Sequence, residues 1–230
     1  MIKFRLVNRL YFVFTLLFAA SLACTGLPIN MDDLAIPAQA EATPISLPGS
    51  ILFQDDFSKP SSGWDRLQAA EGIMDYDGGG YRMLVNAGDT NFWATPKLEL
   101  ADVRLEVDAG KLGGPDENRI GLICRLSAGN YYFFLMTSDG YHGIGIFNLG
   151  QAVLLGQTEL QYSDKILKGM AVNHLRADCL GDRLSMFVNG FEVLSVQDGA
   201  LHSGDIGLLA GTFAQSGVDV IFDNFVVLQP

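Results

Sequence analysis

Side chains of the types that bind sugars are concentrated between residues 92 and 145. Flat aromatic rings stack on the apolar faces of sugar rings, and arginine or histidine can hydrogen-bond to sugar hydroxyl groups. The side chains concerned are Trp93, Arg125, Tyr132, Phe134, Tyr141 and His142. We predict that they line a ligand-binding groove. The alternative is that loops cover the aromatic pair Tyr132 and Phe134 and that Arg125 only bridges strands.

The sequence lacks the short motifs of other catalytic and metal chemistries. It contains no G-x-S-x-G, no H-E-x-x-H, no phosphate-binding glycine loop and no C-x-x-C pair. The histidines are His142, His174 and His202, and His174 lies near Arg176 and Asp178. That pattern is typical of a solvated or salt-bridged strand face.

The charge balance argues against nucleic acid as a partner. The 230 residues include 15 Lys+Arg and 26 Asp+Glu, which gives a formal net charge of −11. An acidic chain with no basic block has no electrostatic reason to bind a polyanion.

The N-terminal residues have the features of a secretory signal peptide. Three basic residues precede an apolar run over residues 10–23, and Cys24 follows. The run is shorter than the ~20 residues that a spanning helix needs. The ending Ser21-Leu22-Ala23-Cys24 resembles a bacterial lipobox, although Ser21 stands where lipoboxes usually have Leu. We therefore predict a signal helix over residues 1–23, lipidation of Cys24, and an exported chain anchored to the bacterial membrane or envelope. The alternative is cleavage by ordinary signal peptidase with an incidental Cys24.

Residues 24–50 are predicted to form a flexible tether. Half of the eight prolines fall in this segment, and no period of 2 or 3.6 persists in it. Such a tether would hold a folded domain, residues 51–230, away from a membrane surface. The alternative is a loop packed on the domain.

The remaining residues follow the pattern of an all-β domain. Apolar and polar residues alternate over residues 103–108, 174–179 and 218–223, as expected of half-buried antiparallel strands. Residues 120–124, 131–136 and 206–210 are apolar on both faces, which favours central strands or strands that line a groove. Asn189-Gly190 predicts a tight type I′ hairpin. About a dozen strands are expected, stacked as two sheets.

The two cysteines of the folded region fall on the apolar side of their strands. Cys124 is in phase with Leu122, and Cys179 is in phase with Ala177. They either form a disulfide, which an exported compartment permits, or remain two separate buried thiols. Since Arg125 follows Cys124 directly, we predict that Arg125 points away from the core onto the outer face of its sheet.

The order of several short segments resembles the concanavalin A-like lectin/glucanase superfamily, near LamG-like and 3-keto-disaccharide hydrolase-type domains. The matching segments are FQDDF at 53–57, SSGW at 61–64, GLICR at 121–125, NYYFF at 130–134, DGY at 139–141, NHLRA through VNG at 173–190, GDIGL at 204–208 and FDNF at 222–225. The resemblance covers nearly all of residues 51–230 and implies a two-sheet antiparallel jelly-roll sandwich. It implies less about function, because this fold hosts lectins, hydrolases and adhesion modules.

The resemblance also implies a structural Ca²⁺ where the first and last strands meet. Asp56 and Asp223 occupy those strands, each next to a phenylalanine. Carboxylate and carbonyl oxygens are the ligands that Ca²⁺ prefers. The alternative is that both are ordinary edge carboxylates.

Glucanases of this superfamily carry their catalytic carboxylates as Glu-x-Asp-x-x-Glu. Here Glu106 and Asp108 match the first two positions, but Lys111 occupies the last. That retaining mechanism is therefore not expected. The sequence favours an exported module that binds a glycan or another surface ligand. The alternatives are a hydrolase of the 3-keto-disaccharide type, with acidic residues and His142 or His174 in a groove, and a structural envelope protein without a small ligand.

Overall fold

A computed structural model describes residues 48–230, and within this range the chain forms strands and turns but no helix. Consequently no helix of these residues is long and apolar enough to span a membrane. The predicted signal peptide, Cys24 and nearly all of the tether lie outside the described residues. The last tether residues already pair with the domain, because the Gly49 amide donates to the carbonyl of Gln229 (2.7 Å) and the Gln229 amide donates to that of Ser50 (2.8 Å).

In residues 48–230, sixteen strands form two antiparallel sheets. In chain order they are β1 (Ile51–Asp55), β2 (Leu67–Ala69), β3 (Gly72–Asp77), β4 (Gly80–Val85), β5 (Asn91–Ala94), β6 (Val103–Gly113), β7 (Asn118–Ser127), β8 (Asn130–Met136), β9 (Tyr141–Asn148), β10 (Gln151–Leu154), β11 (Gln161–Tyr162), β12 (Val172–Leu180), β13 (Arg183–Val188), β14 (Phe191–Gln197), β15 (Asp205–Thr212) and β16 (Val218–Leu228). The predicted all-β, two-sheet sandwich is confirmed. The structure has more strands than the expected dozen. Most of the additional ones, such as β2, β10 and β11, are short strands near the sheet edges, which contain too few residues to show an alternating pattern.

The strand order places the long strands at the centre of each sheet. Sheet A runs β14-β13-β12-β6-β16-β4-β3-β2, with β1 added beside β16. Sheet B runs β10-β9-β8-β7-β15-β5, with β11 also paired to β9. Sequential strands are mostly joined by short turns, as at Asn189-Gly190, where both residues have positive φ and connect β13 to β14. This is the predicted hairpin.

The core lies between the sheets and is built by every second residue. Leu105, Ala177 and Phe222 of sheet A are fully buried, whereas their neighbours Glu106 and Asp223 lie on the outer side. The predicted alternation is therefore present on β6, β12 and β16. Burial of these apolar side chains is the main favourable term for a sandwich of this kind.

A disulfide crosses the core and joins the two sheets. Cys124 of β7 in sheet B is bonded to Cys179 of β12 in sheet A, with 7.0 Å between the Cα atoms and a sequence separation of 55. Closing a loop of that length removes chain entropy from the unfolded state, which the loop-closure model values at about 4 kcal/mol. Both cysteines are fully buried.

An aromatic cluster at the start of the domain includes one of the two tryptophans. Trp64 is only 4% exposed, and its indole Nε1–H donates to Asp55 Oδ2 at 2.9 Å. The other Asp55 oxygen accepts the Phe57 amide at 2.8 Å. The ring of Trp64 meets that of Phe225 edge-to-face at 5.1 Å, so the first strand, this cluster and the last strand are held together.

We expect the disulfide to contribute about 2–4 kcal/mol to the free energy of unfolding, because its loss frees the unfolded chain. Urea denaturation of the protein with and without a thiol reductant measures this difference. The double variant Cys124→Ala/Cys179→Ala is the control, and its midpoint should not respond to the reductant. Equal midpoints for the oxidised and fully reduced wild-type protein would contradict the expectation.

Candidate functional site

The outer faces of the two sheets differ in chemistry. The outer face of sheet A carries ion pairs, including Arg104 with Asp178 at 3.1 Å and His174 with Asp108 at 2.8 Å. His174 thus lies on a charged strand face, as its sequence context indicates. The outer face of sheet B instead carries a cluster of buried apolar side chains that is separate from the main core. Apolar side chains that are exposed on the outside of a sheet often mark a binding surface, and Trp93, the cross-strand partner of Leu209, is exposed on this face.

Two adjoining depressions on the outer face of sheet B form what we call the outer groove. The aromatic depression has a volume of about 320 Å³. Its walls include Asn91, Arg119, Tyr131, Phe133, Phe147 and Phe213. The acidic depression has a volume of about 350 Å³ and includes Glu117, Thr137, Asp139 and Tyr141. Leu160 and Phe213 border both depressions, so one ligand of several units can contact both.

The register of β7 and β8 determines which aromatic side chains face the outer groove. Cys124 and Tyr132 are cross-strand partners, and both face the core. Tyr131 and Phe133 therefore face outward, because side chains alternate along a strand. The ring of Phe133 lies over Gly145 of β9, where a Cβ atom would come within 2.1 Å of the Phe133 ring. Glycine at position 145 thus leaves room for this outward ring.

An aromatic row crosses the groove. The ring centroids of Trp93 and Tyr131 are 5.9 Å apart, and those of Tyr131 and Phe147 are 5.3 Å apart with an interplanar angle of 15°. Trp93 is 42% exposed, whereas Tyr131 is 3% exposed. The row therefore has an accessible indole at one end and a stacked, well-supported ring beside it. This arrangement can act as a platform for the apolar face of a flat ligand.

Arg119 is the charged group of the aromatic depression. Its Nη1 donates to Asn91 Oδ1 at 2.9 Å, and its guanidinium lies 4.1 Å from the centroid of the Phe213 ring. Burial lowers the pKa of Arg119, and the nearby charge of Asp89 partly offsets this. Burial also raises the pKa of Tyr131, whose hydroxyl has no hydrogen bond to any described residue.

The acidic depression is polar at its walls. Asp139 accepts a hydrogen bond from the Thr137 hydroxyl, and the Tyr141 ring meets the Tyr162 ring at 5.7 Å. Lys168 Nζ lies 4.6 Å from the centroid of the Tyr162 ring. Carboxylates and a tyrosine hydroxyl beside aromatic rings can hydrogen-bond to hydroxyl groups of a ligand.

The structure places two of the six predicted ligand-binding residues on this face. Trp93 lies at the end of the aromatic row, and Tyr141 lines the acidic depression. The other four, namely Arg125, Tyr132, Phe134 and His142, are buried on the inner side or at its end.

The prediction that Arg125 faces outward is wrong because a β-bulge interrupts the alternation. The register of β7 with β8 shifts between Cys124 and Ser127, and Arg125 has a φ of 55°. Arg125 is 1% exposed. Its guanidinium donates to the carbonyls of Ala101, Gly181 and Leu201 and to the Asp102 carboxylate. It connects sheet B to three loops of the sandwich and does not reach the outer groove.

The prediction that Tyr132 and Phe134 line the groove is also wrong. Both rings belong to the core between the sheets. The Tyr132 hydroxyl donates to the Asp198 carboxylate and accepts the Leu201 amide at 3.0 Å. Burial, and then the Asp198 hydrogen bond, raise the pKa of Tyr132. Both rings are buried in the core between the sheets, and the loop between β14 and β15 hydrogen-bonds to the Tyr132 hydroxyl through Asp198 and Leu201.

His142 lies on the inner side of β9 and is 3% exposed. Its Nε2 lies 3.1 Å from the carbonyl oxygen of Val193, to which it donates, and its Nδ1 has no partner among the described residues. Burial lowers the pKa of His142, and the Val193 hydrogen bond opposes that shift. Neither His142 nor His174 of sheet A is among the residues that line the outer groove.

Asp56 and Asp223 do not share a cavity. Asp56 accepts the Ser58 amide and hydroxyl, which lowers the pKa of Asp56. Asp223 borders a different depression, on the outer side of sheet A beside Asp108. Within residues 48–230 no cluster of three or more Asp, Glu, His or Cys side chains is arranged to hold a metal ion. These carboxylates alone do not fit the six to eight oxygen ligands of Ca²⁺, and calcium binding stays a prediction.

Several groove residues were not identified from the sequence. They are Asn91, Arg119, Phe147 and Phe213, together with the pair Tyr131 and Phe133. No signal in the sequence selects that pair, because the register of β7 with β8 shifts between Cys124 and Ser127 and the phase of Cys124 alone does not fix the phase of β8. No comparable signal exists for Phe213, which follows the end of β15.

Comparisons with known proteins identify the fold. No family model and no curated protein matches the sequence. Among solved structures, the carbohydrate-binding module CBM66 from Bacillus subtilis superposes with a TM-score of 0.59 at 16% identity, over 73% of this chain and 96% of that one. A Bacillus subtilis protein of unknown function with a galectin-like fold also has a TM-score of 0.59, at 13% identity, over 80% and 97% of the two chains.

An enzyme is also similar to this chain. The GlcNAcα1-4Gal-releasing endo-β-galactosidase from Clostridium perfringens has a TM-score of 0.57 at 7% identity, over 82% of this chain and 65% of the enzyme. At such identities the likeness shows a shared jelly-roll sandwich and nothing about shared residues. The structural neighbours include both carbohydrate-binding modules and enzymes that act on glycans.

We expect Arg125→Ala to lower the free energy of unfolding by about 2–4 kcal/mol, because it leaves buried carbonyl groups without a donor and opens a cavity. Urea denaturation measures the loss. Arg183→Ala is the matched control, since the Arg183 side chain is 58% exposed and its ion pair contributes at most about 1 kcal/mol. A variant at position 125 that keeps full stability would show that Arg125 has no structural role.

We expect the unfolding free energy to decrease as the pH falls below about 6.5, the usual pKa of histidine. The folded state resists protonation of His142 because its pKa is lowered there, whereas the unfolded state binds the proton. NMR titration of the His142 imidazole signal measures the shift directly. A His142 signal that titrates at or above 6.5 would refute the expectation.

Proposed function

We propose that this protein is an exported, lipid-anchored module that binds glycans in the outer groove. The observation that carries the proposal is the aromatic row of Trp93, Tyr131 and Phe147, beside the guanidinium of Arg119, which donates to Asn91 Oδ1. Protein sites for sugars need a flat apolar surface and a few polar groups at its edge. The solved structures with the same fold include a carbohydrate-binding module, which supports this reading.

Two features of the chain support the proposal of export: its N-terminal sequence and its disulfide. The basic start, the short apolar run and Cys24 follow the pattern of a lipoprotein signal. The disulfide between Cys124 and Cys179 suits an oxidising compartment, where such bonds form and persist. We infer that the domain is held at the bacterial cell surface or envelope by a lipid on Cys24.

A second function, glycoside hydrolysis, is favoured by one specific observation. Glu117 and Asp139 border the same depression, and two carboxyl groups near a glycosidic bond are the usual requirement for its hydrolysis. The release of reducing ends from bound oligosaccharides separates the two functions. Turnover that is lost in both Glu117→Gln and Asp139→Asn would make the protein an enzyme, whereas binding without turnover supports a module.

The proposal of a structural envelope protein requires a fully covered outer face. Leu160, which precedes β11, does cover part of this face, and Tyr131 and Phe133 are each less than a tenth exposed. Trp93 and Tyr141 nevertheless remain 42% and 40% exposed. Tyr141 lines the acidic depression and Trp93 contacts Tyr131 of the aromatic depression, so these exposed aromatic side chains favour a ligand over a purely structural role.

We expect Trp93→Ala to weaken glycan binding by about tenfold, because it removes the exposed end of the stacking platform. A glycan array identifies the ligands, and calorimetry of the best ligand gives the dissociation constant. Phe191→Ala is the matched control, since Phe191 is 54% exposed on sheet A and should not affect affinity.

Thermal melting checks both variants, and neither should shift the melting temperature by more than a few degrees. An unchanged dissociation constant for Trp93→Ala would place the ligand elsewhere. The absence of binding to every glycan on the array would refute the proposed function.

A further inference from the structure

Arg119 differs from the other arginines of the described residues in having no carboxylate partner. The others each form an ion pair with an Asp or Glu: Arg66, Arg82, Arg104, Arg125, Arg176 and Arg183. The guanidinium of Arg119 makes one hydrogen bond, to the neutral amide of Asn91, and stacks on Phe213. Since a guanidinium has five N–H donors, most of its hydrogen-bonding capacity is unused by residues 48–230.

The surroundings of Arg119 make an unpaired charge unfavourable. Its neighbours in the aromatic depression are mainly apolar, including Phe133, Leu135 and Leu209. The Asp89 carboxylate is near enough to offset part of the desolvation cost of Arg119 but forms no ion pair with it, so a cost remains that a bound anion can remove. The lowered pKa of Arg119 has this same origin in burial. A guanidinium remains charged at neutral pH even so, and it matches a carboxylate through two parallel hydrogen bonds.

We propose that the outer groove binds a glycan that bears a single carboxylate, with that carboxylate against Arg119 and the neutral sugar units on the aromatic row and in the acidic depression. This inference rests on the proposed function, because it specifies the ligand class of the same groove. The Tyr131 hydroxyl, which has no hydrogen bond to the described residues, is a second donor beside the same position.

The adjoining depression explains why one carboxylate is preferred to several. Glu117 and Asp139 border it and Lys168 is the nearby cation, so the two carboxylates leave a net negative charge that would repel a second carboxylate placed there. The chain as a whole carries a formal net charge of −11, which also disfavours a polyanionic ligand. A terminal acidic sugar on a neutral oligosaccharide satisfies both depressions.

Calorimetry with defined oligosaccharides tests the inference. The acidic probes are sialyllactose and a glucuronic acid-substituted xylotriose, and each is compared with its carboxylate methyl ester and with the neutral lactose or xylotriose. Trigalacturonate is the polyacid control. We expect at least one acidic probe to bind about tenfold or more tightly than its methyl ester, and trigalacturonate to bind more weakly than that probe.

Variants at Arg119 connect the effect to the residue. Arg119→Gln should remove the preference for the acid over its methyl ester, and Arg119→Lys should keep part of it because the charge remains. Arg66→Gln is the matched control, since Arg66 is an exposed arginine just before β2 that pairs with Asp75 of β3, and its loss should leave the preference intact. Thermal melting confirms that each variant is folded, and the comparison of acid with ester is internal to each protein.

The outcomes separate this inference from the proposed function. Equal affinity of wild-type protein for acid and ester, with neutral sugars bound, would overturn the acidic ligand and leave glycan binding in place. An acid preference that survives in Arg119→Gln would overturn the role of Arg119. If neither the acidic nor the neutral sugars bind, both proposals fail.

Discussion

The direction in which Cys124 points constrains the rest of the sandwich. Its bond to Cys179 requires β7 and β12 to present these side chains to each other across the core. Cross-strand pairing with Tyr132 then sets the phase of β8, and pairing of Tyr132 with Ile146 sets the phase of β9. Because a shift of one residue would exchange the two faces of each strand, this one contact determines which aromatic side chains fill the core and which form the groove.

The two outer faces then take different roles because their side chains differ. On sheet A, carboxylates and basic groups pair with each other in the solvent, as Arg82 does with Asp219. The charged side chains of such a face already have partners and do not require a ligand. On sheet B, apolar rings surround a guanidinium that has no anionic partner among residues 48–230. The chemical asymmetry of the faces, more than any motif, identifies the groove.

The sequence predicts the architecture well where one face of a strand is polar. Residues 103–108 and 218–223 alternate clearly, and their buried side is the predicted one. The prediction is weaker for residues 131–136, which are apolar on both faces, so that periodicity cannot distinguish the core side from the groove side. The choice of Tyr132 and Phe134 failed for this reason.

Local backbone geometry accounts for the other main error. In a regular strand Arg125 would face outward, because it directly follows the inward-facing Cys124. The β-bulge at this position turns the Arg125 side chain to the interior of the sandwich instead. Such a bulge cannot be predicted at an arginine from the sequence, because positive φ is found mainly at glycine or asparagine. The sequence could not single out Arg119 either. Its lack of an ion pair is apparent only from the structure, in which each of the other described arginines contacts a carboxylate.

The two tryptophans of this chain report on different parts of the molecule. Trp64 is sealed in the aromatic cluster with its indole N–H bound to Asp55, whereas Trp93 stands 42% exposed at the end of the groove. We therefore expect two components of tryptophan fluorescence. Emission from Trp64 is shielded from solvent and depends on folding of the domain, whereas emission from Trp93 is accessible to quenchers beside the outer groove. Because the sequence has only 2 tryptophans, Trp64 can report whether the domain is folded and Trp93 can report whether the outer groove is occupied.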